Sequence, residues 1–316
     1  MNTYIYDLVI IGGGPAGLAA ALYGGRALFD TAVIEGMMAG GQILLTNEIV
    51  NYPGVIAGES GYSLMQRFEA SAKSFGAVFF NDIINEVDFS NRIKLLRGAK
   101  DEYRAMAVIL ATGARAKLLQ VPGEKEFTGR GVSYCATCDG AFFKEKEVFV
   151  VGGGDAAVEE AVYLTKFASK VTLIHRRDQL RASRNIQEKA FDNSKISFLW
   201  DSAITEMTGD NLLRALSVKN LKTGEERVMT SSVPGDNIGV FIFIGYEPNN
   251  ALFSEVVALD ETGFVLTDER MRTNVSGIFA AGDIRSKSLR QVVTAAADGA
   301  VAAVEAAKYI EETFDK

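Results

Sequence analysis

Cys135 and Cys138 are the residues whose type and spacing most directly suggest chemistry. They are the only cysteines of the chain, and two residues lie between them. A structural disulfide that closes so small a loop would restrict little entropy of the unfolded chain. A C-x-x-C pair, by contrast, has a lowered thiol pKa and lets one thiol resolve the mixed disulfide that the other forms. The motif therefore predicts a reversible dithiol in a reducing compartment, with inert thiols as the alternative.

The residues available to the dithiol favour acid–base chemistry over metal binding. A zinc site needs about four ligands, and besides the two cysteines the chain has a single histidine, His175. We therefore expect no metal. Asp139 follows Cys138 directly and is the nearest candidate acid or base for a departing thiolate. The alternative for Asp139 is a helix cap or a turn residue.

The amino-terminal region carries a glycine motif typical of dinucleotide binding. Residues 5–11 (IYDLVII) form an apolar run, the sequence GGGPAG follows at 12–17, and a second apolar run at 31–34 leads to Glu35. Such glycines let a pyrophosphate reach a helix N-terminus, and an acid after the next strand accepts hydrogen bonds from a ribose diol. The pattern predicts a βαβ unit that binds a dinucleotide with a free ribose. A glycine-rich turn without a ligand is the alternative.

The same plan recurs in the middle of the chain. An apolar run at 147–151 (EVFVV) precedes GGGDAA at 152–157, and a second run at 170–174 (KVTLI) ends at His175. In both motifs the first glycine lies 23 positions before the residue that follows the second run. An internal duplication of one nucleotide-binding plan explains this equality.

The second motif differs from the first where the ribose would bind. In place of the acid it has His175-Arg176-Arg177, with Arg181 one turn further on. Guanidinium groups bind a 2′-phosphate that a carboxylate would repel. This site is therefore predicted to bind NADP(H), with a solvated basic patch as the alternative.

Length, composition and charge narrow the class of protein. With 316 residues, 48% hydrophobic and 23% charged, two globular domains are expected. A net charge of −7 argues against nucleic acid as a partner. No apolar run approaches the roughly 18 residues of a membrane span. The segment Met1 to Asp7 lacks the basic region of a signal peptide, so a cytoplasmic protein is expected.

The remaining segments indicate how the two units are connected. Strand-like runs lie at 108–113 (VILATG) and 240–248 (VFIFIGYEP), and a hairpin-like segment precedes GIFAAGD at 277–283. An Ala-rich helix is predicted over 290–310. The second unit is therefore predicted to be inserted into the first, with crossings near 114–120 and 244–250.

Five motifs in this order resemble the low-molecular-weight, bacterial-type thioredoxin reductases. They are GGGPAG, CATCDG, GGGDAA, HRRDxxRA and GIFAAGD, and together they span essentially the whole chain. The resemblance implies an α/β fold of two Rossmann-like, three-layer domains, with the NADPH domain (118–244) inserted into the FAD domain (1–117 and 245–316). It also implies a homodimer and electron flow from NADPH through FAD to the Cys135/Cys138 disulfide and on to thioredoxin.

The resemblance also implies a set of site residues. Cys138 is expected next to the flavin, Cys135 is expected to attack the substrate disulfide, and Arg130 and Phe142 are candidates for docking thioredoxin or plain surface residues. The last helix is expected to present its N-terminus to the flavin. The implied FAD site comprises Gly12, Gly14, Pro15, Ala16, Gly17, Ile34, Glu35, Gly40, Gly41, Gln42, Asn51, Ala111, Thr112, Gly113, Gly282, Asp283, Arg290, Gln291 and Val292. The implied NADPH site comprises Gly153, Gly154, Asp155, Ala156, His175, Arg176, Arg177, Arg181 and Gly245.

The order of the motifs raises a question of access to the flavin. Cys138 and Gly152 are 14 positions apart, so the disulfide and the nicotinamide belong to one domain while both must reach a flavin held by the other. The two groups could contact opposite faces of the flavin ring, or they could contact the flavin one after the other. The resemblance favours alternating contact, through rotation of residues from about 118 to 244. Tyr246-Glu247-Pro248 departs from the histidine and small polar residue that the family often has. We interpret this departure as touching the crossing rather than the chemistry.

Related flavoproteins provide the competing interpretations. A ferredoxin–NADP reductase of this architecture would lack the C-x-x-C, and a ferredoxin-dependent thioredoxin reductase would lack the basic NADPH motif. A peroxiredoxin-reducing flavoprotein would carry an extra thioredoxin-like region before the first glycine motif. A redox sensor without enzymatic activity would not need a vicinal dithiol. The dithiol is therefore the discriminating feature.

Overall fold

The computed structural model describes residues 4–36, 40–46, 48–49 and 51–316, without the side chain of Leu45. The first three residues of the segment considered for a signal peptide lie outside these ranges. The chain divides into two compact units, one formed by Met1–Arg115 with Glu247–Lys316 and the other by Ala116–Tyr246. Both boundaries differ by two residues from those expected from the sequence. Among the helices of the described ranges, none has the length and apolar character needed to cross a membrane.

The first unit is a three-layer α/β structure around a seven-stranded sheet. Its strands are β1 (Ile5–Ile11), β2 (Thr31–Glu35), β3 (Val78–Asn81), β4 (Ile84–Asp88), β5 (Lys94–Gly98), β6 (Glu102–Leu110) and, near the C-terminus, β17 (Ile278–Ala280). Their order is β3-β2-β1-β6-β5-β4, with β17 also paired to β6. Strands β3, β2, β1, β6 and β17 are parallel, whereas β4 and β5 are antiparallel. The parallel strands β1 and β2 are almost continuously buried, which explains their apolar sequences.

Small residues let the helices of this unit approach each other closely. The helices are α1 (Pro15–Arg26), α2 (Gly61–Ser74) and α6 (Val292–Phe314). A Cβ placed on Gly299 of α6 would lie 2.0 Å from the carbonyl oxygen of Ala16 on α1. The close contact of α1 and α6 brings the amino-terminal glycine motif next to the segment that follows β17.

The second unit contains a parallel sheet with a smaller antiparallel sheet. The parallel strands are β8 (Val132–Ser133), β9 (Glu147–Gly152), β10 (Lys170–Ile174), β11 (Ile196–Leu199) and β15 (Gly239–Phe243), in the order β11-β10-β9-β15-β8. The antiparallel sheet is β12 (Ser202–Gly209), β13 (Leu213–Asn220) and β14 (Glu226–Thr230). The helices are α3 (Ala136–Asp139), α4 (Asp155–Leu164) and α5 (Arg184–Phe191). The crossings carry two short strands, β7 (Ala114–Ala116) and β16 (Tyr246–Pro248).

The predicted α/β class is confirmed, and so are most of the predicted strands. Three details differ. The last helix runs from Val292 to Phe314 and so is shifted toward the C-terminus of the predicted 290–310. The predicted run 240–248 is interrupted, because Gly245 adopts a φ of 109° between β15 and β16. The hairpin-like segment before 277 forms only isolated bridges, one of them between Leu259 and Val265, and no extended ladder.

Candidate active site

The dithiol is closed as a disulfide at the start of a short helix. Cys135 and Cys138 are bonded, with a Cα–Cα distance of 5.3 Å. Cys135 is the N-cap of α3, and its Sγ accepts the backbone N–H of Cys138 at 3.2 Å. A helix N-terminus favours negative charge, and an N–H donor stabilises a thiolate. The N–H of Cys138 is therefore placed to stabilise negative charge on Sγ of Cys135.

Asp139 lies on the same helical turn, and its environment favours the protonated form. Burial raises the pKa of this carboxyl, and a hydrogen bond from Ser133 acts in the opposite direction. The Ser133 hydroxyl donates to Oδ2 of Asp139 at 2.6 Å. The sequence leaves open that Asp139 is only a turn residue. Its backbone does end α3, but its side chain also accepts the hydrogen bond from Ser133. A partly buried carboxyl with a raised pKa is suited to exchange a proton with a nearby sulfur.

A second polar network includes Tyr134, the residue before Cys135. The hydroxyl of Tyr134 donates to Oε1 of Glu124 at 3.0 Å, and burial with the nearby carboxylate raises the pKa of this tyrosine. Glu124 is buried and also accepts the N–H groups of Leu119 and Gln120. The hydroxyl of Tyr246 donates to the carbonyl oxygen of Tyr134 at 3.0 Å. Tyr246 thus lies at the crossing, as expected, and its hydroxyl also contacts the residue before Cys135.

The first glycine motif has the geometry of a cradle for a phosphate. Gly12 has a φ of 111°, and a Cβ placed on it would lie 2.4 Å from the carbonyl oxygen of Ala111. Helix α1 then begins at Pro15 behind Gly14, with no side-chain cap and no acid in its first turn. The first-turn N–H groups are therefore left for an anion. A Cβ placed on Gly17 would lie 1.8 Å from the carbonyl oxygen of Gly12, so this glycine permits close helix–strand packing.

Other predicted FAD-site residues lie around this cradle in the first unit. Gly40 donates its N–H to the carbonyl oxygen of Gly13 at 2.7 Å, and Gln42 donates from its side chain to the carbonyl oxygen of Ala114. Glu35 is the last residue of β2. The side chain of Ile34 is buried, so only its backbone can contact a ligand, and its carbonyl oxygen accepts the N–H of Gly12. Positions 111–113 follow β6, where Thr112 exchanges hydrogen bonds with Asn249. Ala16 and Gly41 complete this group as parts of α1 and of the 3-10 turn Gly41–Leu45.

The C-terminal part of the predicted FAD site is organised by Asp283 and Arg290. Oδ1 of Asp283 is buried and has no hydrogen-bond partner among the described residues, and burial raises the pKa of this carboxyl. Arg290 donates to the backbone carbonyl oxygens of Asp283, Arg285 and Lys287. The Gln291 side chain accepts from Asn51 at 3.0 Å, and α6 begins at the next residue, Val292. Asp283, Gln291 and the start of α6 thus come together in the first unit.

A buried ion cluster supports this turn, and the sequence had not indicated it. Asp298 on α6 lies 2.9 Å from Arg285 and 2.8 Å from Lys287, and all three side chains are nearly buried. Oδ2 of Asp298 also accepts the N–H of Gly282 at 3.1 Å. One carboxylate therefore holds two cations and the backbone directly before Asp283.

The second glycine motif is joined directly to the basic segment. The backbone N–H of Arg181 donates to the carbonyl oxygen of Gly153 at 2.7 Å. A Cβ placed on Gly153 would lie 2.3 Å from the ring of His175, which is buried and whose pKa burial lowers. His175 is therefore a neutral packing partner of the glycine loop, and the predicted positive charge resides in the arginines.

The arginines of this segment are exposed. Arg176, Arg177 and Arg181 make no ion pair with a carboxylate of the described residues. Helix α4 begins at Asp155, which accepts the N–H of Ser183 at 2.7 Å, and Ala156 is exposed beside it. Gly154 caps α4 without a side chain, and Gly245 follows the end of β15. The second unit thus combines a helix N-terminus that has no side-chain cap with guanidinium groups that form no ion pair with the described carboxylates.

Comparison with known proteins identifies the family. The profile of the pyridine nucleotide-disulphide oxidoreductases matches residues 6–299. A thioredoxin reductase from Peptoclostridium litorale is 57% identical over 310 residues, which cover 98% of each chain. The chain belongs to the thioredoxin reductases of this family. A thioredoxin reductase from Bacillus subtilis is 49% identical over 311 residues, with 98% of this chain and 96% of the relative covered.

Solved thioredoxin reductases share the fold over nearly the whole chain. The enzyme from Streptococcus pyogenes is 43% identical with a TM-score of 0.91, covering 98% of this chain and 100% of that one. The enzyme from Lactococcus lactis, described as being in the FR conformation, is 44% identical with a TM-score of 0.66, covering 97% and 99%. As a thioredoxin reductase, the chain is an enzyme whose cofactors are FAD and NADPH.

The residues of the two units fit these cofactors. In the first unit, the Gly12 cradle, the uncapped start of α1 and the unsatisfied Oδ1 of Asp283 match the phosphates and hydroxyls of a dinucleotide. In the second unit, the unpaired arginines match a 2′-phosphate. These segments can be recognised in the sequence because each is contiguous. Ser133, Glu124 and Asp298 carry no such signature, because their hydrogen-bond partners follow no periodic pattern in the chain.

Proposed function

We propose that the chain reduces the disulfide of a thioredoxin with electrons from NADPH, and that Cys135, Cys138 and Asp139 are its catalytic residues. The observation that carries the assignment is a closed Cys135–Cys138 disulfide beside a partly buried carboxyl, in the same unit as the basic nucleotide motif. FAD, when bound, would take two electrons from NADPH and deliver them to this disulfide. The first unit would hold FAD through the Gly12 cradle, Glu35 and Asp283, and the second would hold NADPH.

The thiol chemistry follows from the contacts of the two cysteines. In the reduced enzyme, the Cys135 thiolate attacks the thioredoxin disulfide, so that a Cys135–thioredoxin bond forms and the thioredoxin S–S bond breaks. The departing thioredoxin sulfur takes the electron pair and the proton of Asp139. The Cys138 thiol gives its proton to the Asp139 carboxylate and attacks the Cys135 sulfur. The second thioredoxin sulfur leaves with the proton of Asp139, and the enzyme disulfide is restored.

The nucleotide preference would reside in the second unit. Arg176, Arg177 and Arg181 carry positive charge without an ion-pair partner among the described carboxylates, and the Arg181–Gly153 hydrogen bond holds that segment against the glycine loop. A phosphate dianion accepts several charge-assisted hydrogen bonds from such groups. NADPH is therefore preferred over NADH.

The insertion of one unit into the other supports a motion during turnover. The disulfide and the NADPH residues both belong to Ala116–Tyr246, while the FAD residues belong to the other unit. Reaction needs atoms within roughly 3–3.5 Å. Contact with opposite faces of the flavin would need no motion. Following the resemblance, we propose instead that the unit Ala116–Tyr246 rotates on its two crossings, so that the disulfide and the nicotinamide meet the flavin in turn. The motion can be tested with one fluorophore in each unit, at the exposed Leu28 and Val228. The distance between them should fall into two populations whose ratio changes when NADPH is added. A single population that does not change contradicts alternation.

The last helix supports a homodimer. Val293, Ala297, Val301 and Val304 are exposed and follow one another at spacings of four, four and three, which places them on one face of α6. An exposed apolar stripe of this kind is typical of a subunit interface. Val301→Glu is expected to shift the sedimentation coefficient to that of a monomer, whereas Val228→Glu in the other unit leaves it unchanged. A dimer that survives Val301→Glu contradicts this interface.

A steady-state assay tests the proposed function. NADPH oxidation by the purified enzyme should require an added thioredoxin, and Cys135→Ser and Cys138→Ser should each abolish it. Both variants should retain reduction of the flavin by NADPH. The net charge of −7 and the dithiol are consistent with a cytoplasmic enzyme that does not bind nucleic acid. Reduction of thioredoxin that survives either substitution contradicts the proposal.

A further inference from the structure

Ser133 lies between the nucleophile and the acid of the dithiol site. It is the last residue of β8, which pairs with β15 in the parallel sheet, and its side chain is buried, with 4% exposed. Its hydroxyl donates to Oδ2 of Asp139 at 2.6 Å and accepts the backbone N–H of Cys135 at 3.1 Å. The carbonyl oxygen of Cys135 lies 3.3 Å from the same hydroxyl.

The hydrogen-bonding capacity of one hydroxyl decides how these contacts are used. A serine hydroxyl has one proton to donate and two lone pairs to accept with. The Asp139 carboxylate takes the proton, because the contact to it is shorter and the acceptor is ionisable. The N–H of Cys135 occupies a lone pair. The hydroxyl therefore fixes the carboxyl of Asp139 relative to the backbone of Cys135.

We propose that Ser133 is a positioning residue for the reduction of thioredoxin, which orients the Asp139 carboxyl toward the sulfur that leaves and anchors Cys135 against it. The inference rests on the proposed role of Asp139. With Oδ2 held by Ser133, Oδ1 is the oxygen that carries the proton to the departing thiolate. The backbone N–H of Asp139 donates to the carbonyl oxygen of Cys135 at 3.1 Å, so the turn and the strand end hold the pair from two sides.

The ionisable groups near Asp139 are few. On its own turn they are the thiols of Cys135 and Cys138 in the reduced enzyme. Helix α4, which contacts α3, carries Asp155, Glu159, Glu160 and Tyr163. The pKa of Asp139 is raised by burial and lowered by Ser133. Loss of the Ser133 hydroxyl therefore raises this pKa further, because the hydrogen bond stabilises the charged form.

The test compares Ser133→Ala with Ser133→Thr, Asp139→Asn and the matched control Ser202→Ala. Ser202 is a buried serine of the same unit whose hydroxyl donates to the carbonyl oxygen of Trp200 and lies outside the dithiol turn. We expect Ser133→Ala to lower kcat with thioredoxin roughly 3- to 30-fold with little change in KM, less than the 100-fold or greater loss expected for Asp139→Asn. The alkaline limb of its kcat profile should move to higher pH. Ser133→Thr keeps the hydroxyl donor, so the alkaline limb of its kcat profile should stay at the wild-type pH. This variant tests the inference even if Ser133→Ala fails to fold.

A measurement that does not need turnover accompanies the kinetics. The chain has only two cysteines, so the rate of iodoacetamide alkylation of the reduced protein reports on this dithiol alone. The step in its pH profile that disappears in Asp139→Asn belongs to Asp139. That step should move to higher pH in Ser133→Ala and stay in place in Ser202→Ala.

The possible outcomes separate this inference from the proposed function. If Ser133→Ala retains the wild-type kcat and the wild-type limb while Asp139→Asn is inactive, the inference on Ser133 is wrong and the role of Asp139 stands. The inference on Ser133 is also wrong if Ser133→Ala loses only thermal stability, as Ser202→Ala would. It is wrong as well if a folded Ser133→Thr has an alkaline limb displaced from the wild-type pH. Wild-type activity in Asp139→Asn would instead refute the proposed acid.

Discussion

The backbone N–H of Arg181 donates to the carbonyl oxygen of Gly153 over 2.7 Å. This bond joins the basic segment after β10 to the glycine loop at the start of α4, across 28 positions of sequence. An anion at the helix N-terminus and a second anion at the arginines are therefore held at a defined separation. A dinucleotide with a 2′-phosphate supplies both.

Removal of the two adjacent arginines should lower the affinity for NADPH much more than the affinity for NADH. A hydrogen bond to a charged group contributes about 1.5–3 kcal/mol, so Arg176→Ala/Arg177→Ala is expected to weaken NADPH roughly tenfold to several hundredfold. NADH lacks the 2′-phosphate and should bind almost as before. Calorimetric titration of both coenzymes measures the difference, with Arg227→Ala on the exposed strand β14 as the control. Equal losses for both coenzymes would refute the 2′-phosphate assignment.

The two cysteines should differ in their reaction with thioredoxin. Because Sγ of Cys135 accepts the N–H of Cys138, its thiolate is the stabilised nucleophile. Cys138→Ser should therefore form a covalent complex with a thioredoxin that keeps one cysteine, activated by thionitrobenzoate. Cys135→Ser should react at least about tenfold more slowly, as followed by release of the thionitrobenzoate anion. The reverse order of rates would exchange the two roles.

The partly buried Asp139 should reduce the stability of the oxidised enzyme at neutral pH. Burial raises the pKa of this carboxyl in the folded state, so the folded state binds the proton more tightly than the unfolded state does. The stability due to this proton is present below the unfolded pKa of about 3.9 and is lost as pH rises through the folded pKa. Asp139→Asn should therefore unfold at a higher temperature than the wild type, by a margin that grows with pH. Calorimetry of the two proteins and of the exposed control Asp192→Asn measures the margin; a margin that shrinks as pH rises would contradict the assignment.

Removal of Asp298 alone should lower the free energy of unfolding more than replacement of all three charged side chains of its cluster. Asp298→Ala leaves Arg285 and Lys287 as uncompensated, nearly buried charges, so a loss of about 3–5 kcal/mol in the free energy of unfolding is expected. The Gly282 N–H also loses its acceptor, and FAD affinity should fall roughly tenfold or more. The triple substitution Asp298→Leu/Arg285→Met/Lys287→Met removes all three charges and should be the more stable of the two variants in denaturant titration. Equal stability of Asp298→Ala and the wild type would show that the cluster is not coupled to folding.

The parts of this protein that could be predicted from the sequence are those with local signatures. The glycine motifs lie between an apolar run and a helix, so φ requirements and the N-terminal N–H groups follow from neighbours in the chain. The C-x-x-C spacing is likewise local, because its chemistry needs two thiols on one turn. For this reason the sequence predicts the α/β class, and it predicts the positions of strands β1, β2, β9 and β10 to within one residue.

Only the tertiary structure decided which polar side chains surround these motifs. The Tyr246 hydroxyl meets the carbonyl of Tyr134 across 112 positions, and Asp298 reaches Gly282 from the following helix. Ser133 is six positions from Asp139, yet its hydroxyl points to that carboxyl only because β8 ends in the sheet where α3 turns back. A buried hydroxyl or carboxylate takes its partner from whatever the packing of the core places within about 3 Å, and no periodicity in the chain encodes that distance.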